Sequence, residues 1–137
     1  MDTQLEKKNV LLMIFLTIIT YGIYIPVWFL KRKNAFNNLN SKEKISNGPI
    51  IFVLVIFVIS AILLIPSVLF METEIGTMVD GIDSIINLVG GITILVMSFK
   101  VRRIMNEHYK TKLSGVATLF FTFLYLQYKV NRFLENK

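Results

Sequence analysis

Glu107 and His108 lie within the stretch Arg102 to Lys112, the chain's one concentration of groups that could move a proton. An unperturbed imidazole titrates near pH ~6.5, so a carboxylate–imidazole pair could serve in acid–base chemistry. Adjacent residues on a helix, however, diverge by about 100°. The plainer reading is a solvated helix whose charges set topology. Glu72, Glu74, Asp80 and Asp83 offer hard oxygen ligands of the kind calcium and magnesium take, but their spacing fits no EF-hand loop. The chain has no cysteine and one histidine, which removes thiolate catalysis, disulfides and multi-His metal sites. No phosphate loop or nucleophile motif is present. These residues predict no catalytic site, no metal site and no cofactor, and therefore a protein that is not an enzyme.

A second kind of chemistry is offered by cations interleaved with aromatic rings. Gly22-Ile23-Tyr24-Ile25-Pro26-Val27-Trp28 is followed by Lys31-Arg32-Lys33. It reads either as a kinked helix end that binds a lipid headgroup or partner, or as an aromatic-belt anchor fixing helix depth. Arg102 and Arg103 follow a later apolar run, and Tyr125, Tyr128, Lys129 and Arg132 follow the last one. Tyr24, Trp28, Lys31, Arg32, Lys33, Arg102, Arg103, Tyr125, Tyr128, Lys129 and Arg132 are thus the candidate lipid- or partner-binding residues. Anionic headgroups attract such basic residues at a membrane surface. Basic residues that hug apolar ends argue against nucleic acid as a partner.

The elements that carry these residues are apolar. Of 137 residues 54 % are hydrophobic and 18 % charged, against about 25 % charged in ordinary soluble domains. From Ile45 to Phe99 there is no Lys or Arg, and four acids give that window a charge of −4. The remainder carries +10 of a total of +6. Four hydrophobic segments stand out, at about 9–30, 49–71, 82–99 and 113–128, against the roughly 20 helical residues a bilayer requires. The expected fold is an all-α membrane protein of four hydrophobic helices forming a single membrane domain over 1–137.

Positive charge favours the cytoplasmic side. Loops 31–48 and 100–112 are basic and loop 72–83 is acidic, so segments two and three form a transmembrane hairpin with 72–83 outside. After the third segment Val101, Ile104, Met105 and His108 recur at helical spacing, which predicts an amphipathic cytoplasmic extension. Segments one and four either span or enter and return to the same face. Twenty-two uncharged residues favour spanning for the first, while Tyr21 to Pro26 is its breaking point. Asn87 is the deepest polar residue of segment three, and Gly90-Gly91 follows it.

Taken together, Thr20-Tyr21-Gly22-Ile23-Tyr24 to Trp28, Phe99-Lys100-Val101-Arg102-Arg103-Ile104, and Leu113-Ser114-Gly115 to Tyr125-Leu126-Gln127-Tyr128-Lys129, with Asn131-Arg132 beyond, resemble the prokaryotic membrane family termed domain of unknown function 4234. The resemblance covers about residues 9–134 and departs from the family at Pro26-Val27. It implies a multi-pass protein of a prokaryotic plasma membrane without an assigned activity. The functional expectation is a non-enzymatic module that binds membrane lipids, a membrane protein or a second copy of itself. A small transporter or channel subunit, or a holin- or immunity-type protein, are the alternatives.

Overall fold

The computed structural model describes residues 4–136. Its five helices are α1 (Val10–Ile19), α2 (Tyr24–Asn37), α3 (Asn47–Leu69), α4 (Glu74–Tyr109) and α5 (Gly115–Glu135), with no strand among the described residues.

The first apolar segment is not one helix but two. Asn9 starts α1 by accepting hydrogen bonds from Leu11 N (2.9 Å) and Leu12 N (3.4 Å). The helix stops at Tyr21 and Gly22, where φ reaches 52° and 87°. Gly22 enters this left-handed region without steric cost. Thr20 joins the two helix ends, donating to the Leu16 carbonyl (2.7 Å) and accepting from Tyr24 N (3.0 Å). Pro26 does not make the break: it sits in the first turn of α2, where a missing N–H removes no helical bond. α2 then runs back along α1, so that Arg32 Nη2 meets the Glu6 carbonyl at 3.1 Å. Ten residues make α1 only about 15 Å long, half a hydrocarbon layer. The expectation of one continuous hydrophobic helix over about 9–30 is corrected to two helices joined at residues 20–23.

α3 and α4 are long and apolar enough to cross a membrane. They pack along their length as an antiparallel pair. The expected acidic loop over 72–83 is corrected to a turn at residues 70–73, because α4 already begins at Glu74. Thr73 Oγ1 caps it by accepting from Gly76 N (3.2 Å), and an acid in the first turn suits the helix dipole. Gly76 is required here, since a Cβ would lie 2.0 Å from the Phe70 carbonyl oxygen. At the other end α4 runs on to Tyr109, with Val101, Ile104 and Met105 fully buried as their spacing predicts.

α5 folds back on itself. Thr122 takes φ 39°, ψ −120°, and Ser114 N donates to Tyr125 Oη at 3.0 Å. Along a straight helix eleven residues would separate the two backbones by about 16 Å. The fourth segment is therefore two arms, and the second continues past the expected end at 128 as far as Glu135.

Burial is uneven. Trp28, Phe29, Phe36, Val53, Met97, Val101, Ile104, Met105, Phe123, Leu126 and Val130 form a core where α2 and α5 pack on the half of the α3–α4 pair away from the 70–73 turn, with α1 against α2 and α5. The tip of the α1–α2 hairpin reaches Phe57, whose ring lies 3.4 Å from where a Gly22 Cβ would stand. Phe57 is ten residues into α3, about 15 Å from its start. Beyond it the α3–α4 pair continues alone. Among residues 58–89 only Ser60 and Gly76 are buried, while Ile62, Ile65, Leu69, Ile85 and Leu88 are more than half exposed. A contiguous apolar surface of this size marks a contact with a membrane or with another protein.

Candidate functional site at the basic end

Every described Lys and Arg lies in 7–8, 31–44, 100–112 or 129–132, and the fold gathers these segments at one end. Their centre is a side-chain amide. Gln127 Oε1 accepts from Trp28 Nε1 (3.0 Å) and from Arg32 Nε (2.8 Å). Its Nε2 donates to the Glu6 carbonyl (3.0 Å) and to Asn131 Oδ1 (2.8 Å). Asn131 then pairs with the backbone of Lys8, donating to its carbonyl (2.6 Å) and accepting from its N–H (3.0 Å). Spacing of i, i+4 puts Gln127 and Asn131 on one face of α5, so this face holds the extended chain before α1 against α2.

Trp28 and Arg32 are the inner wall of this site, not its surface. Trp28 is 1 % exposed and Arg32 6 %, with the guanidinium 5.4 Å from the indole centroid. The expectation that Trp28 sits in an interfacial aromatic belt is therefore corrected: its ring packs on Phe29, Phe36 and Phe123. A buried cation is costly unless paired, and here two acceptors and a ring face serve it.

Outside that wall a cleft of about 440 Å³ opens between α1 and α2. Leu12, Leu16, Tyr24 and Trp28 supply its apolar side, and Lys8, Lys31 and Glu6 its charges. Lys31 is exposed, and its ammonium has no hydrogen bond or ion pair among the described residues. Nearby on α5, Lys129 Nζ stands 5.6 Å from the Tyr125 ring and 5.8 Å from the Tyr128 ring. Arg132 lies over Tyr128 at 5.9 Å.

The remaining candidates are tied to the protein itself. Lys33 Nζ donates to Asn47 Oδ1 (2.7 Å), and Arg102 Nε donates to the Leu113 carbonyl (2.8 Å). Arg103 makes a two-pronged pair with Glu43, one contact being 3.1 Å. Glu107 and His108 grip the same connection. Glu107 accepts from Ser41 Oγ (2.6 Å) and Lys42 N (2.9 Å), and His108 Nδ1 accepts from Asn40 N (3.0 Å). The two donors from Ser41 and Lys42 hold the Glu107 carboxyl below its ordinary range. Burial against Phe133, stacked at 4.0 Å, raises the Tyr109 phenol.

Reading residue types found the cations and rings but missed Gln127, Asn131 and Glu6 as their organisers. The available signal was the amide pair at i, i+4 in an apolar–aromatic helix. At the far end Asp80 and Asp83 turn to α3, where Ser67 Oγ and Ser60 Oγ donate to them.

Comparison with curated proteins and with solved structures gives no match. A protein-family model does match, over residues 8–107, from just before α1 to the last turn of α4. The chain belongs to the family described as domain of unknown function DUF4234.

Proposed function

We propose that this protein is a non-enzymatic membrane module whose cytoplasmic, basic end binds an anionic lipid headgroup in the α1–α2 cleft. The observation that carries the reading is the unpaired Lys31 beside Lys8, at a cleft whose other wall is apolar and aromatic. One face would hold a phosphate-bearing headgroup while Leu12 and Leu16 meet acyl chain. In this reading α3 and α4 cross the membrane, and α1–α2 and α5 enter and return. All basic segments then share the cytoplasmic side, as the positive-inside rule favours. Irregular backbone at membrane depth requires internal partners. At the tip of the first hairpin Tyr21 N, Gly22 N and Ile23 N find the carbonyls of Ile18, Thr17 and Thr20.

Trp28 is the only tryptophan and lines the cleft, so it reports occupancy directly. Phosphatidylglycerol brominated on its acyl chains is expected to quench Trp28 more strongly than brominated phosphatidylcholine at equal mole fraction. Lys8→Gln with Lys31→Gln should remove the difference. Equal quenching by both lipids, unchanged in the variant, overturns the reading. Single cysteines at positions 7, 73 and 136 test the topology: 7 and 136 should react from the cytoplasmic side and 73 from the other.

A further inference from the structure

In the outer half of the α3–α4 pair, three polar side chains meet on helices whose exposed surface is mostly apolar. Ser60, 1 % exposed, donates to Asp83 Oδ1. Asn87 Nδ2 donates to Asp83 Oδ2 (2.9 Å), to the Asp83 carbonyl (2.9 Å) and to Ser60 Oγ (3.2 Å). Ser60 lies nine residues before the end of α3 and Asp83 nine after the start of α4, so about 14 Å of helix separates them from the turn on either arm. Along those stretches Ile62, Ile65, Leu69, Ile75, Met78 and Ile82 are exposed. In the other direction Lys100, the first cation on α4, is seventeen residues or about 25 Å away. This carboxyl is thus within the hydrocarbon layer whenever the pair crosses a membrane.

We propose that Asp83 is an intramembrane proton-binding site, with Ser60 and Asn87 as its positioning residues. An ionisable side chain in a membrane span is expensive and marks ion or proton chemistry. Its surroundings favour a proton over a fixed ion pair. The groups facing it from α3 are the neutral Ser60 and, a turn or two outward, Ser67. The nearest charged group on α4 is Asp80, of like sign, and no Lys or Arg occurs between Ile45 and Phe99. Both protonation states are served. The carboxylate accepts from the Ser60 hydroxyl and the Asn87 amide; on taking a proton Asp83 becomes the donor and Ser60 Oγ the acceptor. The inference rests on α3 and α4 crossing the membrane and not on the lipid cleft.

The test is covalent labelling of the full chain in proteoliposomes. An apolar carbodiimide reacts with a neutral carboxylic acid: the acid proton goes to a carbodiimide nitrogen, oxygen bonds to its central carbon, and acyl migration leaves a stable N-acylurea. Dicyclohexylcarbodiimide should label Asp83 in peptide mass maps at least tenfold faster than Glu72 or Glu74. Labelling should fall as the medium is made alkaline, be absent in Asp83→Asn and persist in Asp80→Asn. A hydrophilic, impermeant carbodiimide with a nucleophile should show the reverse order, Glu72 before Asp83. The wild-type peptide map needs no variant to fold. Labelling of Asp83 that is absent, or independent of pH, overturns the proposal. Protection by sodium at constant pH overturns it in favour of a metal-cation site. If Asp83 is as open to the hydrophilic reagent as Glu72, the cysteine at position 73 tells which idea fails. Reaction from the outer side leaves the crossing intact and removes the intramembrane site.

Discussion

The Arg32 guanidinium donates through Nε to Gln127 Oε1 at 2.8 Å, across ninety-five positions of chain. This single contact ties the returning arm of the first hairpin to the returning arm of the last. The same amide oxygen holds Trp28, and the same amide nitrogen holds Glu6. Gln127 is fully buried, so nothing but protein can replace those bonds.

Gln127→Leu is therefore expected to be among the most damaging conservative-volume changes in the chain. It leaves a buried guanidinium short of an acceptor, and breaking a buried charged contact typically costs about 3–5 kcal/mol. The partner change Arg32→Met removes the charge together with its need. In thermal unfolding of the detergent-solubilised protein, Arg32→Met/Gln127→Leu should be more stable than Gln127→Leu alone. A double-mutant cycle should give a coupling of about 1–3 kcal/mol. Simple additivity would show that the contact contributes nothing beyond packing.

The tips of the two hairpins are unlike. Gly22 holds its positive φ freely, whereas Thr122 adopts φ 39°, ψ −120° with a β-branched side chain. Such a residue stores on the order of 1–3 kcal/mol. Thr122→Gly should raise the unfolding midpoint, its gain trimmed by about 0.5–1 kcal/mol of added chain entropy. Gly22→Val should lower the midpoint through both φ and the Phe57 ring 3.4 Å away. A destabilising Thr122→Gly would mean that the fold-back draws more from the Thr122 side chain than it loses in strain.

These two tips also show what a single chain of letters reveals. The break in the first segment was legible because glycine at a helix interior is a physical signal, although Pro26 beside it proved harmless in a first turn. The fold-back of α5 was not legible: Phe121-Thr122-Phe123 contains neither glycine nor proline, and the burial of Phe123 and Leu126 just past the bend is a tertiary feature. Charge located the α3–α4 pair and its basic end. It misled over residues 72–83, where four acids in twelve residues read as a loop but Thr73 and Glu74 are a good cap and first turn. The cleft's cations were visible as letters. Their sorting into a buried Arg32 and an exposed Lys31, neighbours in sequence, depends on helix phase against a helix ninety-five residues away.

Phe57 and Gly90 fix how closely the two long helices approach. A Cβ on Gly90 would fall 2.3 Å from Phe57 Cε1. Gly90→Val should therefore push α3 from α4 and lower stability by about 1–3 kcal/mol, the usual range for overpacking. Phe57→Ala alone should also destabilise, by removing a ring that meets both Gly22 and Gly90. Combined with Gly90→Val it should recover part of the loss, since the new methyls occupy space the ring has left. Unfolding midpoints of the two single variants and the double variant decide the matter; losses that merely add would rule out the steric account.

Glu107 gives the connection between α2 and α3 a dependence on pH. Its carboxyl is held below the ordinary range by the Ser41 hydroxyl and the Lys42 N–H, bonds that favour the ionised form. A group whose folded pKa is depressed stabilises the structure above its unfolded pKa and loses that contribution as pH falls through the folded value. The connection at 38–46 should thus stay closed at neutral pH and loosen only at pH below the ordinary carboxylate range. Glu107→Gln should loosen it at neutral pH, because the amide oxygen accepts these bonds without a charge to strengthen them. Hydrogen exchange of residues 40–45, corrected for intrinsic rates, should rise severalfold in the variant at neutral pH and approach wild type in acid. A constant ratio between variant and wild type across that range would place the grip in Arg103–Glu43 and His108–Asn40 instead.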